Sequence, residues 1–185
     1  MFGHSISREG KKCEHSCLLP QPHCSALRPP PRVDDKAEIT ALYKKLSAAM
    51  KSNNVDGYLA LVTPDFKEVK ITHKELKGKE AEKELRARFS AIKTVTQAEI
   101  KADSVTMTGN TAKTWTTYSF SADVIDKEGK NGPKGAKNVM AVNGKTRDTL
   151  VKTAKGWRFQ QSDILKRAPT MDGQSTYRMG PRGGR

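Results

Sequence analysis

Residues 94–125, TVTQAEIKADSVTMTGNTAKTWTTYSFSADVI, decide the fold. Two runs of alternating side chains, Thr94–Met107 and Thr111–Ile125, flank Gly109-Asn110, a dipeptide that accepts positive φ and closes a β-hairpin. In the second run Tyr118, Phe120, Ala122 and Val124 alternate onto one face, and Trp115, Thr117, Ser119 and Asp123 onto the other. The first set is the more apolar and is expected to face the core. Thr114, Thr116 and Thr117 fit plain β propensity.

Working outward, Val139–Lys152 and Trp157–Leu165 read as two further strands joined around Ala154-Lys155-Gly156. The stretch from Lys127 to Lys137, with Gly129, Gly132, Pro133 and Gly135, reads as a long loop. Upstream of the hairpin the period changes. Asp35-x-x-Glu38 resembles a capping box, and Ile39, Leu42, Tyr43, Leu46, Ala49 and Met50 then recur at helical spacing on one face. A short helix, Val55 to Val62, is stopped by Thr63-Pro64. Asp65 to Ile71 forms a strand with Phe66, Glu68 and Lys70 on one face. His73 to Lys77 is a turn or short strand. Gly78 opens a third helix with Ala81, Leu85, Phe89 and Ile92 inward, and with Glu82–Arg86 and Glu84–Arg88 as i,i+4 pairs outside.

Helices followed by consecutive hairpins give an α+β fold. The expected shape is a cone, a curved antiparallel sheet wrapped around three N-terminal helices with an apolar interior. Residues 34–165 form this domain. Residues 1–33 are expected to be a disordered leader and 166–185 a disordered basic tail.

The ends and the charge limit the function classes. The chain has 185 residues and a formal net charge of +14. Half of that excess lies outside 34–165; within it, lysines alternate with acids as on a solvated surface. Nonspecific polyanion contact at low salt is expected, and an evolved nucleic-acid stripe is not. The cluster Arg178 to Arg185 is a single imperfect Arg-Gly run, weak evidence for RNA binding. Cys13, Cys17 and Cys24, with His4, His15 and His23, are the weak metal candidates. Their spacing lacks paired zinc knuckles, and prolines interrupt it, so no metal or other cofactor is expected. The leader has basic residues but no apolar core of a signal peptide, and no run is long enough for a transmembrane segment. The compartment stays open, and export remains possible if the chain start is misassigned.

Glu38-Ile39-x-x-Leu42-Tyr43 and Asn54-Val55-Asp56-Gly57-Tyr58-Leu59-Ala60-Leu61-Val62-x-Pro64-Asp65-Phe66 resemble the opening of nuclear-transport-factor-two-like (SnoaL-like) domains. Arg147-Asp148-Thr149-Leu150-Val151-Lys152 and Gly156-Trp157-Arg158-Phe159 are similar to that superfamily's last two strands. The resemblance covers about 34–165. It implies a cystatin-like cone, often a homodimer through the outer sheet face, in a superfamily of isomerases, cyclases, dehydratases, transport adaptors and pocket proteins. Fold alone does not choose among these.

Carried over residue by residue, the resemblance places the isomerase tyrosine position at Leu46 and the base position at Lys70. Leucine donates no proton and an ordinary lysine is protonated at neutral pH. A shift of one or two residues would bring in Tyr43 or Glu68 by changing the side that faces the interior. His73 and Asp163 remain as weak catalytic candidates, Asp163 because it shares strand parity with Trp157, Phe159 and Gln161. Leu46, Met50, Lys70, Phe89, Tyr118, Phe120, Trp157 and Phe159 are the expected pocket wall. The reading is a noncatalytic pocket for a small apolar molecule, a dimeric interaction module, or both. The alternatives are an isomerase, cyclase or dehydratase with unassigned acid–base residues, and polyanion or RNA binding through the basic ends.

Overall fold

The computed structural model describes residues 33–126 and 133–175. The cysteines and other residues of 1–32, the loop glycines Gly129 and Gly132, and the Arg178–Arg185 cluster lie outside the described residues. The elements run α1 (Val33–Lys51), α2 (Val55–Leu59), β1 (Val62–Val69), β2 (Glu75–Lys77), α3 (Gly78–Ala91), β3 (Ile92–Thr108), β4 (Thr111–Ile125), β5 (Lys137–Thr153), β6 (Gly156–Met171) and β7 (Gln174–Ser175). The sheet order is β2-β1-β6-β5-β4-β3, with β7 on β6. All pairs are antiparallel except β1 with β6, which is parallel.

Each helix forms for local reasons. In α1 the residues Ile39, Leu42, Tyr43, Leu46 and Ala49 are buried along one stripe. Asp35 lies within the first turn rather than at the cap; its carboxylate accepts from Trp157 Nε1 (3.3 Å) and pairs with Lys152. Asn54 caps α2, its side chain accepting from Gly57 N at 2.8 Å. Helix α2 ends at Leu59, and Val62 already belongs to β1. Pro64 fits inside that strand because the β1–β6 register shifts between Val62 and Lys67, where no ladder bond is required of it.

Strands β3, β4, β5 and β6 hold 15 to 17 residues each, too long to stay flat against three helices. Register shifts in β3 and between β5 and β6 supply the curl. The larger apolar cluster joins α1, β1, α3 and the adjacent sheet through Ile39, Leu42, Phe66, Leu85, Leu150 and Phe159. The smaller one, Phe120, Ala122 and Val124 with Met50, Met140 and Met171, lies toward the far end of β4.

One boundary needs correction. Residues 166–175, expected as tail, continue β6 to Met171 and add β7. Lys145 pairs with Lys166, Gly144 with Arg167 and Val142 with Pro169. Main-chain pairing does not depend on side-chain polarity, so the basic composition there hid the strand. Among the described residues no helix is long and apolar enough to cross a membrane.

Candidate functional site

Between the helices and the concave sheet face lies a cavity of about 660 Å³. Its walls come from α1 (Leu46, Met50), α3 (Leu85, Phe89), β4 (Tyr118, Phe120, Val124), β5 (Met140, Val142) and β6 (Phe159, Ile164, Met171). The size and the mainly apolar lining suit a small organic molecule. Six of the eight expected wall residues line it: Leu46, Met50, Phe89, Tyr118, Phe120 and Phe159.

The other two do not. Trp157 is 2 % exposed but packs near the start of α1, its indole donating to Asp35 with Lys152 over the ring. It shares a face with Phe159, yet the cavity begins beyond it. Lys70 lies just past the end of β1 and lines a smaller cavity of about 470 Å³ with Ile71, Thr72 and Thr170. Its Nζ pairs with Glu84 Oε1 at 3.1 Å. The two cavities share Glu68, Arg88, Met140, Ile164, Arg167 and Met171, so Lys70 stands beside the main cavity rather than in its wall.

Both catalytic candidates are displaced from the cavity wall. His73 is an exposed turn residue at φ 61°. Asp163 accepts from Arg147 Nε (3.1 Å), Arg147 Nη2 (2.7 Å) and Gln161 Nε2. The reason is a bulge. Leu150 pairs with Phe159 but Thr149 with Gln161, so Gln160 is an extra residue on β6. One extra residue reverses the faces. Past it Ser162 and Ile164 line the cavity, and Asp163 meets Arg147 on the other side of the sheet.

Two separate constellations of hydrogen-bonded polar groups reach the cavity, apart from Asp126, Asn138 and Arg167, which also line it. The first is centred on Asp148, which is 3 % exposed. Its Oδ2 accepts from Tyr43 Oη at 2.7 Å and Thr116 Oγ1 at 3.0 Å, and its Oδ1 from Ser162 Oγ at 2.6 Å. Tyr43 has a single proton and gives it to Asp148, so Thr114 Oγ1, 2.5 Å from Tyr43 Oη, is the donor in that contact. Thr114 and Thr116 therefore have a hydrogen-bonding role that β propensity did not suggest. Burial pushes the Asp148 carboxyl above the ordinary aspartate value, while hydrogen bonds from Ser162, Tyr43, Thr116 and Thr146 oppose the rise. Burial and then the Asp148 charge push the Tyr43 phenol up, against hydrogen bonds from Thr114 and Thr116. Tyr43 shares the buried stripe of Leu46, so it needs no change of facing side to reach the interior.

The second constellation is Glu68 with Arg88. Glu68, 7 % exposed, accepts a forked pair from Arg88 Nη1 (2.9 Å) and Nη2 (2.7 Å), and Nη2 also reaches Glu84 at 3.2 Å. Burial works to lower the Arg88 pKa, but the hydrogen bonds and charges of Glu68 and Glu84 win and raise it. Tyr58 stands nearby with its ring edge-on to Phe89 at 5.9 Å; burial, then Glu68 and Asp148, raise its phenol pKa.

Gly144 explains how the Tyr118 ring lies over the neighbouring strand. A Cβ there would collide with the Tyr118 ring and the Lys166 carbonyl, so only glycine lets the ring lie across β5. Asp148, Thr146, Ser162 and Arg88 were missed as site residues. A signal for Asp148 existed: it alternates onto the same face as Leu150, which is fully buried. Among the described residues no group of three His, Cys, Asp or Glu side chains could hold a metal ion.

The SnoaL-like domain family matches residues 31–163. A conserved protein from Planctomyces limnophilus is 15% identical, with a TM-score of 0.60 over 75% of this chain and 100% of its own. A ketosteroid isomerase-like protein from Erwinia carotovora atroseptica is 14% identical, TM-score 0.55, over 73% of this chain and 99% of its own. A nuclear-transport-factor-two-like protein from Cytophaga hutchinsonii is 10% identical, TM-score 0.50, over 70% and 95%. At such identities the likeness concerns the fold. No curated protein matches the sequence.

Proposed function

The chain belongs to the SnoaL-like domain family, within the nuclear-transport-factor-two-like superfamily, and on that premise we propose that its cone holds a small, mainly apolar molecule without transforming it. The observation that carries this reading is the mainly apolar cavity of about 660 Å³ whose carboxylates Asp148 and Glu68 are already engaged by other side chains. Asp148 spends its lone pairs on hydroxyls of the chain, and Glu68 spends its own on Arg88. Neither isomerase position carries a competent residue: Leu46 is a wall residue and Lys70 is paired with Glu84. Nile red fluorescence tests the reading. The full chain should bind the dye in a saturable way, and Met50→Trp, which fills the cavity from the last turn of α1, should abolish binding with an unchanged circular dichroism spectrum. Dye binding that survives Met50→Trp would count against the cavity as the container.

One observation favours a second reading, proton transfer by an isomerase-type enzyme. Asp148 is a buried carboxyl at the cavity with its pKa raised by burial, a feature that accompanies acid–base sites. Such an enzyme should exchange the α-protons of a bound ketone such as 1-tetralone with D2O, and Asp148→Asn should stop the exchange. Exchange at the buffer rate would retire this reading.

Two assembly expectations belong with the proposal. Trp115, 51 % exposed on the outer face of β4 opposite Arg147, is where a second copy would pack. Trp115→Lys should then convert a sedimenting dimer to monomer. The net charge of +14 supports sequence-independent contact with polyanions that fades as salt rises.

A further inference from the structure

The cavity's conspicuous polar group, Asp148, is also the one that needs least from a ligand. Tyr43, Thr116 and Ser162 all direct their hydroxyls at it. The opposite condition holds at the start of β5. Asn138 faces the cavity, is 7 % exposed and pairs across the ladder with Val124. Its side-chain Nδ2 is buried and has no hydrogen-bond acceptor in the chain. Two other buried polar atoms share that condition among the described residues, Asn53 Oδ1 and Thr63 Oγ1, but neither residue lines this cavity.

Burying an amide donor without an acceptor costs free energy, and a leucine of similar size would avoid that cost at this position. Val124, Met140 and Phe120 make the wall around it mainly apolar, and the other buried polar group at this end, Asp126, carries a carboxylate that disfavours an anionic ligand. We propose that Asn138 anchors the ligand, and that the ligand class is an apolar molecule carrying a neutral oxygen acceptor, such as a carbonyl, which takes the Nδ2 proton. This rests on the reading of the cone as a container and adds which end of it recognises the ligand. The apolar body of the molecule lies along Val124, Met140 and Phe120, and the Asp148 constellation holds the sheet in shape without touching the polar group.

A matched pair of probes tests the assignment: 1-tetralone, which has a carbonyl, and tetralin, which lacks it. Affinities for the full chain are read by displacement of Nile red and by chemical shifts of ¹³C-labelled methionine methyls. The wild type should prefer 1-tetralone by roughly tenfold, the size of one neutral hydrogen bond. Asn138→Leu should bring 1-tetralone down to the tetralin level while tetralin binds as before. Asn138→Asp, nearly isosteric but without the amide donor, should lose the same preference and guards against a misfolded leucine variant. Equal affinities in the wild type, or a preference retained in both variants, would overturn the anchor and leave the container reading standing. Failure of both probes to bind or to displace Nile red from the wild type would overturn both readings.

Discussion

Asp148 and Glu68 are two inward-facing carboxylates of similar burial in one cone, yet they are satisfied by different chemistry. Asp148 sits in a ring of hydroxyls from α1, β4 and β6, while Glu68 sits in the fork of an arginine from α3. The hydroxyl ring supplies hydrogen bonds without compensating charge, so burial raises the acid's pKa. The guanidinium supplies both, and a chain of pairs carries the charge outward through Glu84 to Lys70 near the surface. The difference separates a carboxyl held by neutral hydroxyls from one held in an ion pair. It also shows why neither presents an unused donor to the cavity, in contrast to Asn138.

The largest effect is expected at the ion pair. Glu68→Ala leaves the Arg88 guanidinium with only its longer contact to Glu84 and should cost about 3 kcal/mol in urea denaturation, near the lower end for a buried pair because Arg88 is partly exposed and keeps that second partner. Glu68→Leu combined with Arg88→Met should recover most of that loss; if it does not, the pair contributes more than mutual compensation. At the hydroxyl ring the effect should be smaller. Tyr43→Phe removes one donor to Asp148 and leaves Thr114, which is fully buried, without the oxygen it donates to. A loss of about 2 kcal/mol is expected. A loss as large as that of Glu68→Ala would show that the ring is as strained by truncation as a buried charge pair.

The two regions should also differ in their response to pH. Because Asp148 holds a proton more tightly when folded, its contribution favours the native state below the unfolded aspartate value. That contribution is lost as pH rises through the higher folded value. Asp148→Asn should remove this component, visible as a flatter stability curve above about pH 4, the unfolded aspartate value. Glu84 works the other way: the Lys70 hydrogen bond holds it low, so its contribution is present above the unfolded glutamate value and lost as pH falls. A wild-type curve that Asp148→Asn leaves unchanged would remove the distinction. The smallest effect is expected at the outer end of the charge chain. Lys70→Ala should change stability by no more than about 0.5 kcal/mol, since the pair is partly exposed.

Features that depend on neighbours along the chain were legible in the residues alone. The helical stripe from Ile39 to Met50, the Gly109-Asn110 hairpin and the inward set Phe120, Ala122 and Val124 all follow from periods of 3.6 and 2. Six wall residues of the cavity came with them, because a wall is the apolar face of an element. Tertiary structure decided what depends on the strand next door. The extra residue Gln160 exists only relative to β5, and it sends Ser162 inward and Asp163 outward against simple alternation. Likewise β6 runs past Leu165 because β5 offers it main-chain partners, which composition does not record. The ring around Asp148 closes over separations of 14, 32 and 105 residues, and the unmet amide of Asn138 is defined by what three-dimensional packing leaves out of its reach. Periodicity is a local property of the chain, whereas satisfaction of a buried polar group is a property of the whole enclosure.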